Sequence, residues 1–177
     1  MAKVRPPVPR IARIVSGGQT GVDRAALDAA LALGVPHGGW CPKGRLAEDG
    51  AIPRRYRLRQ VKSPDPSVRT LANVRDSDAT LILARGPLTG GTRYTAECAR
   101  ALRRPLLVVD PTGTSDPVPR ILRWLARVAR NRPIVLNIAG PRASQDDLYG
   151  PARQTVERLL ADCAERRRLP RQSSGAG

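Results

Sequence analysis

Apolar residues along the chain fall into short continuous runs that alternate with stretches of helical spacing, and this alternation predicts its elements. Ile11-Ala12-Arg13-Ile14-Val15 is a β-branched run that stops at Ser16-Gly17-Gly18. The Ala- and Leu-rich stretch from Thr20 to Leu33 reads as a helix, closed by Gly34 at the position past a helix end that favours glycine. Pro36 to Pro53 is too punctuated by Gly and Pro for a regular element, and too ordered in composition for a linker. Ser67 to Arg75 predicts a short helix, Ala79 to Ala84 a buried strand, Thr92 to Arg103 a helix and Leu106 to Val109 another strand. From Arg120 to Arg130, Ile121, Leu122, Leu125, Val128 and Ala129 share one face, while Arg120, Arg123, Arg127 and Arg130 form a stripe on the other. Ile134 to Ile138 is the last predicted strand, and Ala152, Val156, Leu159, Leu160 and Cys163 mark a C-terminal helix.

Continuously apolar strands separated by helices imply a parallel sheet covered on both faces. The expected architecture is α/β: a single Rossmann-like three-layer domain over residues 11–166 with a mostly parallel sheet. A length of 177 residues and an apolar content of 41% suit one globular domain. No run approaches the roughly 18 apolar residues of a membrane span, and the first residues lack a secretory signal core. Cys41, Cys98 and Cys163 are odd in number and widely spaced, so neither a disulfide framework nor a zinc site is expected. The expected location is the cytoplasm.

The net charge of +16 brings nucleic acid into view. Much of it lies in the ends: Lys3, Arg5, Arg10 and Arg13 have no acid among residues 1–13, nor do Arg166, Arg167, Arg168 and Arg171 among residues 166–177. Residues 1–10 and 167–177 are expected to be flexible basic ends. Almost every base is Arg, a bias that compositional habit explains as well as a binding surface does.

In open α/β sheets ligands sit beyond the carboxyl ends of the strands. After the first strand comes Ser16-Gly17-Gly18-Gln19-Thr20-Gly21-Val22-Asp23-Arg24. Adjacent glycines let backbone approach a ligand, and a helix opening there directs free N–H groups at an anion. The spacing is neither the dinucleotide fingerprint nor a Walker loop, so a plain strand-to-helix turn is the alternative. A second glycine pair, Thr89-Gly90-Gly91-Thr92, follows the strand that ends at Ala84, and Gly140-Pro141-Arg142 follows the last strand. Three glycine-containing loops thus converge on one sheet edge. Between the first two, Lys43 and Arg45 are candidate cations for an anionic ligand. Trp40 either stacks on a planar ring or packs inside. Asn73, Asp76 and Ser77 either hydrogen-bond a heterocycle or terminate a helix. His37 reads as structural, and Cys41 as either activated by nearby cations or buried and inert. Asp23 and Glu97 are the acid–base candidates, though helix-dipole complementation accounts for both.

The run from Ser16 to Leu27 resembles the opening motif of the molybdenum carrier protein family. The resemblance continues through Gly39-Trp40-Cys41-Pro42-Lys43-Gly44-Arg45, Ala47-Glu48-Asp49-Gly50, Ile52-Pro53, Arg69-Thr70, Asn73-Val74 and Asp76 to Ile82. It recurs at Gly90-Gly91-Thr92, Asn137 and Gly140-Pro141-Arg142, and so covers about residues 11–160. Gln60 departs from it, standing where an acid is expected.

The resemblance implies a Rossmann-like fold related to the cytokinin phosphoribohydrolase and DNA-processing protein A superfamily. It also implies binding of molybdenum cofactor (molybdopterin), homo-oligomer formation and molybdoenzyme clients. The preferred reading is a non-catalytic binding protein for an anionic pterin-type cofactor. Its expected ligand-binding residues are Gly17, Gly18, Gln19, Thr20, Gly21, Lys43, Arg45, Asn73, Asp76, Ser77, Gly90, Gly91, Thr92 and Arg142, with no side-chain metal ligands. The alternative is a phosphoribohydrolase-like enzyme that cleaves nucleoside monophosphates, with Glu97 or Asp23 in catalysis and a nucleotide as ligand. The third is nucleic-acid binding through the basic ends.

Overall fold

The computed structural model describes residues 9–168. It opens with strand β1 (Arg10–Val15), helix α1 (Val22–Ala32) and a two-residue strand β2 (His37–Gly38). Four further two-residue strands follow: β3 (Trp40–Cys41), β4 (Leu46–Ala47), β5 (Gly50–Ala51) and β6 (Arg59–Gln60), with a 3₁₀ turn over Lys43–Arg45. The second half runs α2 (Pro66–Arg75), β7 (Ala79–Leu83), α3 (Gly90–Ala101), β8 (Leu106–Val109), α4 (Val118–Ala129), β9 (Pro133–Ala139) and α5 (Tyr149–Arg168).

The main sheet has the order β2-β1-β9-β7-β8, and every pairing in it is parallel. All five residues of β7 are buried, as a strand covered on both faces requires. Beneath the sheet, α1 presents Ala25, Ala26, Ala29 and Ala30, all wholly buried, to the large core that also holds Leu136, Ile138, Val156 and Leu159. Alanines on that face let α1 approach the sheet and α5 closely. Helix ends follow local chemistry: Asp65 caps α2 by accepting from the Ser67 N–H at 2.8 Å, with Pro66 in the first turn. The Asp116 carboxylate accepts from the Val118 N–H at the start of α4.

The single Rossmann-like α/β domain is the expected architecture, with element bounds shifted by one or two residues. Two differences concern the ends. Arg10 already belongs to β1, and α5 continues to Arg168. Residues 1–8 and 169–177 lie outside the described residues, and with them most of the two expected flexible ends. Among the described residues no helix is long and apolar enough to cross a membrane.

The strand order carries the topology of the site. β1 leads to its neighbour β2 in one direction, and β7 leads to β8 in the other, with β9 between them. Placing the β9–α5 unit ahead of β1 would turn the order into 3-2-1-4-5, the first five strands of the doubly wound order 3-2-1-4-5-6. The chain is therefore a rotated version of that connectivity, with its last strand at the sheet centre. The ligand crevice of such a sheet lies beyond the carboxyl ends of β1, β9 and β7.

Candidate functional site

Three loops border that crevice. The first, residues 16–21 after β1, is filled by the protein itself. A Cβ on Gly17 would lie 1.7 Å from the Arg69 Nη1 and 2.9 Å from the Asp23 carboxylate. One on Gly18 would meet Leu58 at 2.6 Å, and one on Gly21, whose φ is +75°, the Pro141 carbonyl at 2.6 Å. The glycines thus admit neighbouring protein atoms rather than leaving room for a ligand. Asp23 is 3% exposed, accepts from the Gln19 N–H at 3.3 Å and pairs with Arg69 at 3.2 Å. Burial raises its carboxyl above the ordinary value, and the Arg69 guanidinium opposes that rise. Arg69, from α2, keeps a buried Nε–H without a hydrogen-bond partner.

The loop leading into α3 is open. Gly90 has φ +50°, and its nearest outside atom would stand 3.2 Å from a Cβ, the amide nitrogen of the Gln145 side chain. A Cβ on Gly91 would meet nothing within 4 Å. Thr89, at the N-cap, makes no side-chain cap hydrogen bond, and the first turn of α3 holds no acid. The positive end of the helix dipole is therefore uncompensated by the helix's own side chains. Thr92 is buried, and the Thr95 hydroxyl donates back to the Gly91 carbonyl.

The third loop, residues 140–148 after β9, straps the other two. Gly140 has no room for a side chain, since a Cβ would lie 2.4 Å from the Leu83 carbonyl. Arg85, just after β7, makes a two-pronged pair with Asp146 at 2.9 and 2.5 Å. The Ala143 N–H donates to the Thr20 hydroxyl at 3.1 Å. A small antiparallel hairpin, β4–β5, adds its Glu48-Asp49 tip: Asp49 is gripped by Arg24, and the Glu48 N–H donates to the Gln19 Oε1.

Several expected ligand contacts are engaged inside the fold. The Arg45 guanidinium donates to four carbonyls, those of Ile52, Pro53, Tyr56 and Leu58, at 3.0–3.2 Å, and so pins the segment that follows the hairpin. Asn73 accepts from the Trp40 N–H and donates to the Trp40 carbonyl, holding that peptide from both sides. Ser77 donates to the Asn73 carbonyl. Asp76 accepts from the Trp40 indole and from Arg75, whose hydrogen bond leads the lowering of its carboxyl pKa. Arg59 stacks on the Trp40 ring, 4.2 Å from its centroid, so the ring already has a planar partner. Gln60, where an acid was expected, accepts from the Gly44 N–H at 2.7 Å and supplies the required oxygen without charge.

Cys41 is wholly buried, and burial pushes its thiol pKa up, so the inert reading applies. His37 accepts from the Arg57 N–H through Nε2, and burial lowers its pKa. Glu97 is half-exposed and paired with Arg93 one turn earlier on α3. Lys43 is exposed, and Arg142 is half-exposed beside Glu48.

Two crevice residues escaped the sequence reading: Arg69, which entered only among the motifs of the resemblance, and Ser144, which was not singled out. Their signal was weak because both are read through partners far away in sequence, Asp23 and Glu48.

Comparison with known proteins agrees with this geometry. The chain is similar to the crystal structure of Putative molybdenum carrier protein from Syntrophus aciditrophicus SB. The two are 44% identical with a TM-score of 0.81, covering 86% of this chain and 96% of that one. No curated protein matches. The model of the circularly permutated YpsA SLOG family matches residues 14–160, and a permuted connectivity is what the strand order displays. With that match over most of its length, the chain belongs to the circularly permutated YpsA SLOG family.

Proposed function

We propose that this protein binds and carries molybdenum cofactor, a pterin bearing a phosphate and a molybdenum oxo centre, as non-catalytic cargo. The observation that supports it most directly is the open, uncapped N-terminus of α3 at the switch point of the sheet. Backbone N–H groups at Gly91 and Thr92 suit an anionic group, and the absent side chain at Gly91 leaves room for it. Arg142, beside Glu48, adds positive charge, and the exposed Lys43 belongs to the same reading. The similarity to a protein named as a molybdenum carrier gives the ligand its chemical class.

The fit of the cargo follows from the donor types present. Cys41, Cys98 and Cys163 are all buried. Among the described residues no three His, Cys, Asp or Glu side chains gather as metal ligands. In this reading the chain offers the cargo hydrogen-bond donors and positive charge, and the metal is carried as a ligated centre of its pterin. A homo-oligomer and molybdoenzyme clients in the cytoplasm belong to the same reading.

Native mass spectrometry of the purified protein, with elemental molybdenum analysis and fluorescence of oxidised pterin, tests it. Molybdenum and pterin in equal amounts, bound after incubation with the cofactor, are expected. Failure to take up supplied cofactor, or a nucleotide retained in its place, overturns it.

A further inference from the structure

Hydrogen-bond donors from two crevice loops converge on one carboxylate. Glu48 accepts from the Ser144 N–H at 3.2 Å and the Ser144 hydroxyl at 2.5 Å, and also from the Thr20 hydroxyl, while the Arg142 Nε stands 3.5 Å away. Two hydroxyls, an amide and a guanidinium are the donor set of an oxyanion site. The carboxylate that fills it comes from elsewhere, 28 residues after Thr20 and 96 before Ser144.

We propose that Thr20, Arg142 and Ser144 form a binding site for a tetrahedral oxyanion of the phosphate type, and that Glu48 fills it until a ligand displaces it. The proposal rests on the anion-carrier reading and adds to it a second anchoring point with a built-in competitor. Three features of the hairpin support displacement. Glu48 sits at the tip of two strands paired only through Leu46–Ala51 and Ala47–Gly50. Its side chain is 20% exposed, so rotation about its own bonds takes it into solvent. Its backbone meanwhile stays fixed by the Gln19 side chain and by the grip of Arg24 on Asp49. Exchange therefore needs no rearrangement of the fold. A tetrahedral oxyanion has more acceptor oxygens and more charge than a carboxylate, and the Ala143 N–H, which donates to the Thr20 hydroxyl, keeps that hydroxyl's own hydrogen aimed at the site.

The test is titration calorimetry of inorganic phosphate into the full chain, comparing wild type with E48Q, E165Q and E48Q/S144A. E48Q is expected to bind phosphate at least about tenfold more tightly than wild type. E165Q, which removes an equal charge from the exposed end of α5, should bind as wild type does, and E48Q/S144A should lose the gain. Equal affinity of E48Q and wild type, or the same gain in E165Q, overturns the proposal. E48A serves the same comparison if E48Q does not fold, as judged by its thermal transition. Cofactor uptake, measured separately, keeps the two readings apart. A phosphate gain in E48Q without cofactor uptake by any form removes the carrier reading alone. Cofactor uptake without that gain removes only this site.

Discussion

Gly17 and Gly18 lie against side chains of their own protein, whereas Gly90 and Gly91 border open space. Both pairs follow a parallel strand; the first precedes α1 and the second opens α3. In the first, Arg69, Leu58 and Ile52 enter the volume that side chains would have taken, and Asp23 sits buried behind them. In the second, one glutamine amide is near Gly90 and nothing is near Gly91. The first glycine pair thus builds the wall of the crevice, and the second leaves its mouth clear. A glycine pair in a loop signals close approach of backbone to something, and only the fold says whether that something is protein or ligand.

Substitutions at the two loops should separate these roles. The largest effect is expected for Gly21→Ala, which combines a positive φ with a Cβ overlapping the Pro141 carbonyl. Strain and overpacking together imply a loss of roughly 4 kcal/mol. A fall in Tm of about 12 °C by calorimetry would match it. A fall of only a degree or two would mean that the two loops part easily and that the wall is soft.

Arg69→Leu comes next. It leaves the Asp23 carboxylate buried without its cation, at a cost of about 3 kcal/mol near neutral pH. Because burial raises the Asp23 pKa in the folded state, its ionisation weakens the fold as pH climbs above the ordinary 3.8 and through the folded value. The folded form binds the proton more tightly, so this contribution is fully present below that range and lost above it. Without Arg69 to oppose the rise, the window widens. The deficit of Arg69→Leu measured by urea unfolding should therefore shrink between about pH 7 and about pH 4. A deficit independent of pH would mean that the guanidinium acts by packing alone.

Gly91→Ala should do the reverse of Gly21→Ala. It places a methyl group in open space within a helix, which leaves stability unchanged or raises it by up to about 1 kcal/mol. Binding of the anionic ligand should fall about tenfold, because the methyl group stands over the exposed amides. Unchanged affinity would move the ligand away from α3. The smallest effect is expected for Lys43→Ala: no shift in Tm, and a twofold to threefold weaker ligand whose loss fades with added salt, as suits an exposed charge.

Periodicity made the elements legible. The alternation of apolar runs with the α4 and α5 patterns is local, and those helices bury the residues it named, Ile121, Leu125, Val156 and Leu159 among them. The position of β9 between β1 and β7 was hidden, because strand order is decided by pairing with residues more than a hundred positions away in β1 and more than fifty away in β7. Arg45 looked like a ligand cation since sequence displays its charge but not the four carbonyls around it. Asn73 and Asp76 were read as hydrogen-bonding a heterocycle or terminating a helix, and sequence could not show that Asn73 holds the Trp40 backbone while Asp76 accepts from the Trp40 indole. The glycine loops were located correctly at the sheet edge. Which of them stands open depended on the long side chain of Arg69, and no spacing rule reports where such a side chain ends.

The central place of β9 also shapes how the protein must be made. Before residues 133–139 leave the ribosome, the main sheet exists at most as two separate ribbons, β2-β1 and β7-β8, each with an unpaired inner edge. At about 5–20 residues per second, those edges remain open for seconds while the rest of the chain is synthesised. Exposed parallel edges of this kind invite pairing with other chains. The nascent protein is thus most vulnerable late in translation, and arrival of its last strand joins both halves and creates the crevice in one event.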